Sequence, residues 1–181
     1  MIEKFCKGKI LEVGCGYGKI FKILEDYDVE ATEIDKIRLN FCLNKYPVVN
    51  IYDLDIFSEN FNKKYDTILL LGVLESLNVI PEEALKILKR NLNYKGVVIF
   101  EVPNVNSLVR RLKCLFGLEP VDKENFRNFQ FTINRIRRFI KKAGYEIVYL
   151  NGSGRESFHG FNFWVPKFLS RNYMGVLRKV S

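Results

Sequence analysis

A chain of 181 residues, 48% hydrophobic and 28% charged, has the balance of a globular domain large enough to bury a sizeable core. No apolar run reaches the roughly 18 residues that a bilayer crossing needs, the first ten residues mix acid and base unlike a signal peptide, and four scattered cysteines with one histidine give no zinc-ligand spacing. Net charge is +8 and lopsided, −2 over residues 1–90 and +10 over 91–181, which disfavours a strongly cationic partner.

Ile10–Val13 reads as a strand, followed by glycines at 14, 16 and 18 and then Ile20, Ile23, Leu24 and Tyr27 at helical spacing. Residues 29–34 form a second strand, with a helix through Ile37, Phe41 and Cys42, and 48–52 a weaker third. The run YDTILLL, 65–71, is a buried strand. In PEEALKILKRNL a proline at the helix start, Glu82 and Glu83 in the first turn and Lys89 and Arg90 in the last match the helix dipole. Residues 96–102 make the next strand. Thr132 caps a helix with the stripe Ile133, Ile136, Ile140 and Ala143, closed by Gly144, and YEIVYL follows as a strand. This alternation predicts an α/β fold, a doubly wound, mostly parallel sheet with helices on both faces, in one domain over 1–181. Two Phe-, Arg-, Lys- and Asn-rich segments, about 103–131 and 151–172, interrupt the alternation and are the candidate substrate covers. With few residues ahead of the first strand, an amino-terminal lid is expected to be nearly absent.

The glycine turn places backbone close to a ligand, with N–H groups available from the helix expected after it. Its spacing is GxGxG, with Lys19 where a dinucleotide fingerprint carries its third glycine. Glu12, just ahead, suits a ligand bearing positive charge and would sit badly beside a pyrophosphate. Asp35, twenty-one positions after Gly14, is placed to accept ribose hydroxyls in preference to the neighbouring Glu33. Asp53 or Asp55 in IYDLDIF is placed to take an adenine amino group.

The stretches ILEVGCGYG, ATEID, YDTILLLGVLES and ALKILKRNLNYKGVVIFEVPN resemble the successive motifs of class I S-adenosylmethionine-dependent methyltransferases, in the broad group with a vlEH-like and a GG…PN-like segment. The likeness continues through PNVNSLVRRLKCLFG and FQFTINRIRRFIKKAGYEIV to about residue 150. It implies a Rossmann-like seven-stranded sheet whose last strand is antiparallel, with the tail MGVLRKV as that strand or part of a terminal helix. It further implies S-adenosyl-L-methionine as cofactor. Glu12, Gly14, Cys15, Gly16, Tyr17 and Gly18 would line its methionine end, Asp35 its ribose, Ile34 and Lys36 the adenosine, Asp53, Leu54 or Asp55 the adenine, and Leu71 and Gly72 the underside of the methionine group. Asp66 is structural in the family.

A methyl on a sulfonium is already activated, so alignment supplies most of the catalysis and a general base matters only for a weak, protonated nucleophile. The sequence lacks the base its relatives carry: Ser76 follows Glu75 where histidine is common, and Arg127 stands near a second such place. Glu75 and His159 remain the catalytic candidates; Glu75 packs or orients in relatives, and a lone histidine in an aromatic loop is commonly a surface residue. No NPPY-like tetrad or Pro-Cys nucleophile is present. The expectation is a cytoplasmic methyltransferase acting on a small neutral or anionic molecule, with no metal. An RNA-modifying enzyme using the basic half and a non-catalytic cofactor-binding or interaction domain are the alternatives. The segment SLVRRLKCLFG is a basic amphipathic helix that either packs on the domain or meets an acidic substrate or anionic lipid head groups.

Overall fold

Side chains of successive strand residues point to opposite faces of a sheet, and here both faces are covered. In the computed structural model, which describes residues 2–118, 128–153 and 170–180, the strands are β1 (Ile10–Val13), β2 (Val29–Thr32), β3 (Asn50–Tyr52), β4 (Tyr65–Leu71), β5 (Leu92–Pro103), β6 (Tyr145–Ser153) and β7 (Asn172–Lys179). They form one seven-stranded sheet in the order β3-β2-β1-β4-β5-β7-β6. The pairs from β3 to β5 are parallel, and β7 runs antiparallel to both β5 and β6. Of the two forms left open for the tail, it takes the strand.

Alternate residues sort cleanly to the two faces. Leu11, Val13, Ile68, Leu70, Val98, Phe100 and Leu177 pack with α3 (Pro81–Leu88) and α5 (Ile133–Lys142) through Ala84, Leu85, Leu88, Ile136 and Phe139. Ile10, Ala31, Leu69, Val97, Ile99, Met174 and Val176 pack on the other face with Ile20, Phe21, Leu24, Cys42 and Ile2; Ile2 belongs to a short helix, α1 (Ile2–Phe5). Being buried on both sides is why these strands read as unbroken apolar runs. α3 begins with Pro81 and bears Glu82 and Glu83 in its first turn. α5 begins at Thr132, whose hydroxyl accepts from Arg135 N at 3.2 Å, and ends at Gly144 in a left-handed conformation, φ +72°.

Two expectations change, and the placement left open for the basic helix becomes visible. The segment after the glycine turn is not an α-helix but a succession of tight turns, with bonds such as Phe21 N to Gly18 O (3.2 Å) and Ile23 N to Ile20 O (2.9 Å). Three left-handed glycines at its start set turns of three-residue span, while burial of Ile20, Phe21 and Leu24 preserves the helical-looking spacing. On α2 (Lys36–Lys45) the buried face is Leu39 and Cys42, and Ile37 is 75% exposed. Finally, α4 (Leu108–Leu115) buries none of its residues. Among the described residues no helix is long and apolar enough to cross a membrane, and no three His, Cys, Asp or Glu side chains cluster to hold a metal.

Candidate functional site

The parallel strands all present their carboxyl ends to one edge, where the glycine turn follows β1. Gly14, Gly16 and Gly18 are all left-handed, φ +66°, +57° and +66°, a region that L side chains enter at a cost of roughly 1–2 kcal/mol. Their surroundings separate their roles. A Cβ on Gly18 would lie 2.6 Å from Tyr46 Cε2 and 2.7 Å from Phe21 Cδ2, and one on Gly14 would lie 3.1 Å from Val73 Cγ2. A Cβ on Gly16 would meet nothing within 4 Å. Gly18 is thus demanded by packing, whereas Gly16 borders open space at the mouth of the turn.

Glu33, which the sequence ranks behind Asp35, is the strut of this turn. One carboxyl oxygen accepts from Gly16 N (2.7 Å) and the other from Ile34 N and Asp35 N (2.9 Å each). It joins the turn to the end of β2. The signal is present in TEID, since a residue two behind Asp35 shares its side while the strand persists, but the sequence does not reveal that the chain leaves β-pairing at Thr32. Asp35 caps α2, accepting from Arg38 N at 3.0 Å through Oδ1. That bond uses one of its two oxygens.

Glu12 lies on the same sheet face as Ile10, 5% exposed, with Oε2 buried and lacking a hydrogen bond. Burial, reinforced by the charge of Glu33, holds its carboxyl well above the ordinary range. A buried acid with an orphaned oxygen costs stability unless something cationic or hydrogen-bonding arrives to meet it. Cys15 and Cys42 sit beneath the turn, the Cys42 thiol donating to Gly16 O at 3.1 Å. Both thiols are pushed up, first by burial, which makes them packing groups and not nucleophiles.

At the rim, the exposed ring of Tyr17 meets Phe41 edge-on with centroids 5.2 Å apart, and the Arg38 guanidinium lies 5.9 Å above Tyr17. Ile34 is exposed. Lys36 pairs with Asp53 across the ends of β2 and β3. Asp55 is absorbed locally, its Oδ1 accepting from Phe57 N at 3.0 Å, and Leu54 packs half-buried on the core. Leu71 is half-buried, and Gly72, left-handed at φ +74°, donates to Glu101 O at 3.1 Å. The turn, Glu12, Ile34, Asp35, Lys36, Asp53, Leu54, Leu71 and Gly72 thus all stand at or beside the carboxyl ends of β1 to β4.

Glu75 is buried just past β4, and its carbonyl accepts from Phe129 N at 3.0 Å. Asn128 adds a bond to Leu77 O (2.9 Å). The backbone at Glu75 therefore holds the end of the first candidate cover segment. His159 and Arg127 lie outside the described residues. Glu101 is a site-edge residue that sequence reasoning misses. Its carboxyl, raised by burial, accepts from Ser153 Oγ (2.7 Å) and Asn172 Nδ2 (2.9 Å), tying β5 to β6 and β7 at this same edge. Asp66 is structural: it accepts from Lys9 N and Asn93 Nδ2 at the opposite edge.

Residues 3–150 match the family described as methyltransferase domain. Two uncharacterized proteins of Methanocaldococcus jannaschii are similar to the chain. One is 24% identical over 94% of this chain and 75% of its own length. The other is 30% identical over 83% of this chain, which spans 62% of that relative. Among solved structures, a SAM-dependent methyltransferase from Methanosarcina mazei superposes with a TM-score of 0.74 at 16% identity, covering 99% of this chain and 96% of that one.

Proposed function

This chain belongs to the methyltransferase domain family, and from that premise we propose that it is a class I S-adenosylmethionine-dependent enzyme that transfers the cofactor's methyl to a small neutral or anionic acceptor. The observation that carries the reading is Glu12: a buried carboxyl with an orphaned oxygen beside a glycine turn braced by Glu33. That arrangement fits a ligand bearing an ammonium group.

In this reading Glu12 meets the amino group of the methionine moiety, and Gly16 leaves the space its Cβ would fill. The second carboxyl oxygen of Asp35 takes a ribose hydroxyl while the first keeps its cap on α2. Ile34 and Leu54 flank the adenine, with Asp53 near its amino group, and Leu71 and Gly72 close beneath the methionine chain. When bound, the cofactor supplies a methyl on a sulfonium, activated without help from the protein. The protein's contribution is to hold the acceptor in line and to keep water out, worth up to ~7–11 kcal/mol from orientation. No base is assigned, which suits an amine, thiolate or carboxylate nucleophile. The test is incubation with methyl-labelled S-adenosylmethionine and a panel of small acceptors, with and without Glu12→Gln. Label transfer that depends on Glu12 supports the reading; label transfer indifferent to it removes its main support.

A further inference from the structure

Among the described residues two helices are basic and amphipathic, and they are mounted in opposite senses. α5 turns Ile136, Phe139 and Ile140 into the core and leaves Arg137, Arg138, Lys141 and Lys142 in water. α4 does the reverse. Leu108, Val109, Leu112, Leu115 and Phe116 follow the i, i+1, i+4, i+7, i+8 spacing of one helix face, yet all are exposed, Leu115 by 77% and Phe116 by 74%. Leu118 extends the stripe, 60% exposed, and is held there because its N–H closes the helix onto Lys113 O at 2.8 Å, past the left-handed Gly117. The polar back is what fastens α4 to the domain: Ser107 caps Arg110 N (3.3 Å), and Arg110 Nη1 donates to Asn104 O (2.8 Å).

The charges complete the pattern. At about 100° per residue the apolar stripe spans about 120°, and Arg111 and Lys113 fall about 40° beyond its two edges. No acidic residue occurs from 104 to 118. Basic side chains along both margins of an outward apolar arc are arranged to reach lipid phosphates while the arc enters the headgroup–acyl boundary. The excess of +10 over residues 91–181 adds attraction to an anionic leaflet. α4 also follows the carboxyl end of β5, the edge that carries the glycine turn.

We propose that α4 docks this edge of the molecule on an anionic lipid surface, so that the methyl acceptor is an amphiphile resident in the bilayer. The docking stands on α4 alone; the acceptor class rests on the methyl-transfer reading above.

The experiment is flotation of the full chain with vesicles of phosphatidylcholine, alone or with about one-third phosphatidylglycerol, at low and high salt. Leu115→Glu/Phe116→Glu and Arg111→Ser/Lys113→Ser are compared with wild type. Each protein is also titrated with S-adenosylhomocysteine, which reports that the fold and cofactor site are intact independently of lipid. The expected result is binding to phosphatidylglycerol vesicles that weakens with salt and falls about tenfold or more in both double variants, with cofactor-product affinity unchanged. Wild-type protein that floats with neither vesicle overturns the proposal, as does vesicle binding that survives Leu115→Glu/Phe116→Glu, because adsorption would then need only charge. Failure of the wild type to bind S-adenosylhomocysteine would strike the methyl-transfer reading while leaving the docking result readable.

Discussion

Gly16 and Gly18 have the same kind of backbone but opposite surroundings, so replacing each with alanine separates folding from binding. Both substitutions force a Cβ into a left-handed conformation, at about 1–2 kcal/mol. In Gly18→Ala the new methyl also lies 2.6 Å from Tyr46 and 2.7 Å from Phe21. Those rings are packed edge-on against each other with centroids 5.0 Å apart, so neither yields freely, and overpacking of this kind costs a further ~1–3 kcal/mol. Gly18→Ala should therefore lose about 2–5 kcal/mol and Gly16→Ala about 1–2 kcal/mol in urea unfolding of the ligand-free proteins. Affinity for S-adenosylhomocysteine should move the other way: Gly16→Ala fills the open space at the mouth of the turn and should lose tenfold or more, as calorimetry would read. Equal stability losses, or wild-type affinity in Gly16→Ala, would refute the reasoning.

Glu12→Gln tests the orphaned acid. The folded Glu12 carboxyl stands well above 4.5, so its contribution is fully present below the unfolded value and lost as pH rises toward the folded one. The variant should flatten that decline in urea stability measured across pH, while binding S-adenosylmethionine about tenfold or more weakly for want of a charged partner. Glu30 works in the opposite sense. Burial alone would raise it, but hydrogen bonds from Lys9, Tyr65 and Lys63 outweigh burial and bring it down to about 2. Its contribution is present above about 4.5 and lost as pH falls toward 2, so Glu30→Gln should cost about 3 kcal/mol at pH 7 and far less at pH 3. Thr132→Ala removes the cap of α5 and should cost about 1 kcal/mol in the same assay.

Strands and caps are legible in the sequence because their determinants are local. YDTILLL and GVVIFEV are apolar on both faces, and Pro81, Thr132 and Gly144 mark helix ends by their own backbone chemistry. The glycine turn is legible as a turn, but the conformation of residues 19–27 is not. Ile20, Ile23 and Leu24 have a helical spacing that successive tight turns satisfy equally well. The acids show the same limit: GxGxG, Glu12 and Asp35 stand out as residue types, whereas the part of Glu33 depends on where β2 stops pairing and on reach to an amide seventeen residues away. Glu101 is hidden inside an apolar strand, and its partners Ser153 and Asn172 come from strands much later in the chain. The outward mounting of α4 cannot be read from its periodicity, which is identical whether the stripe faces core or solvent.

The most direct test of the central claim is calorimetric titration of the wild-type protein and of Asp35→Ala and Glu12→Gln with S-adenosylmethionine and S-adenosylhomocysteine. The expected result is one site per chain with micromolar affinity, weakened tenfold or more in each variant while the variants unfold cooperatively. Absence of binding by the well-folded wild type, or binding untouched by both substitutions, would contradict it.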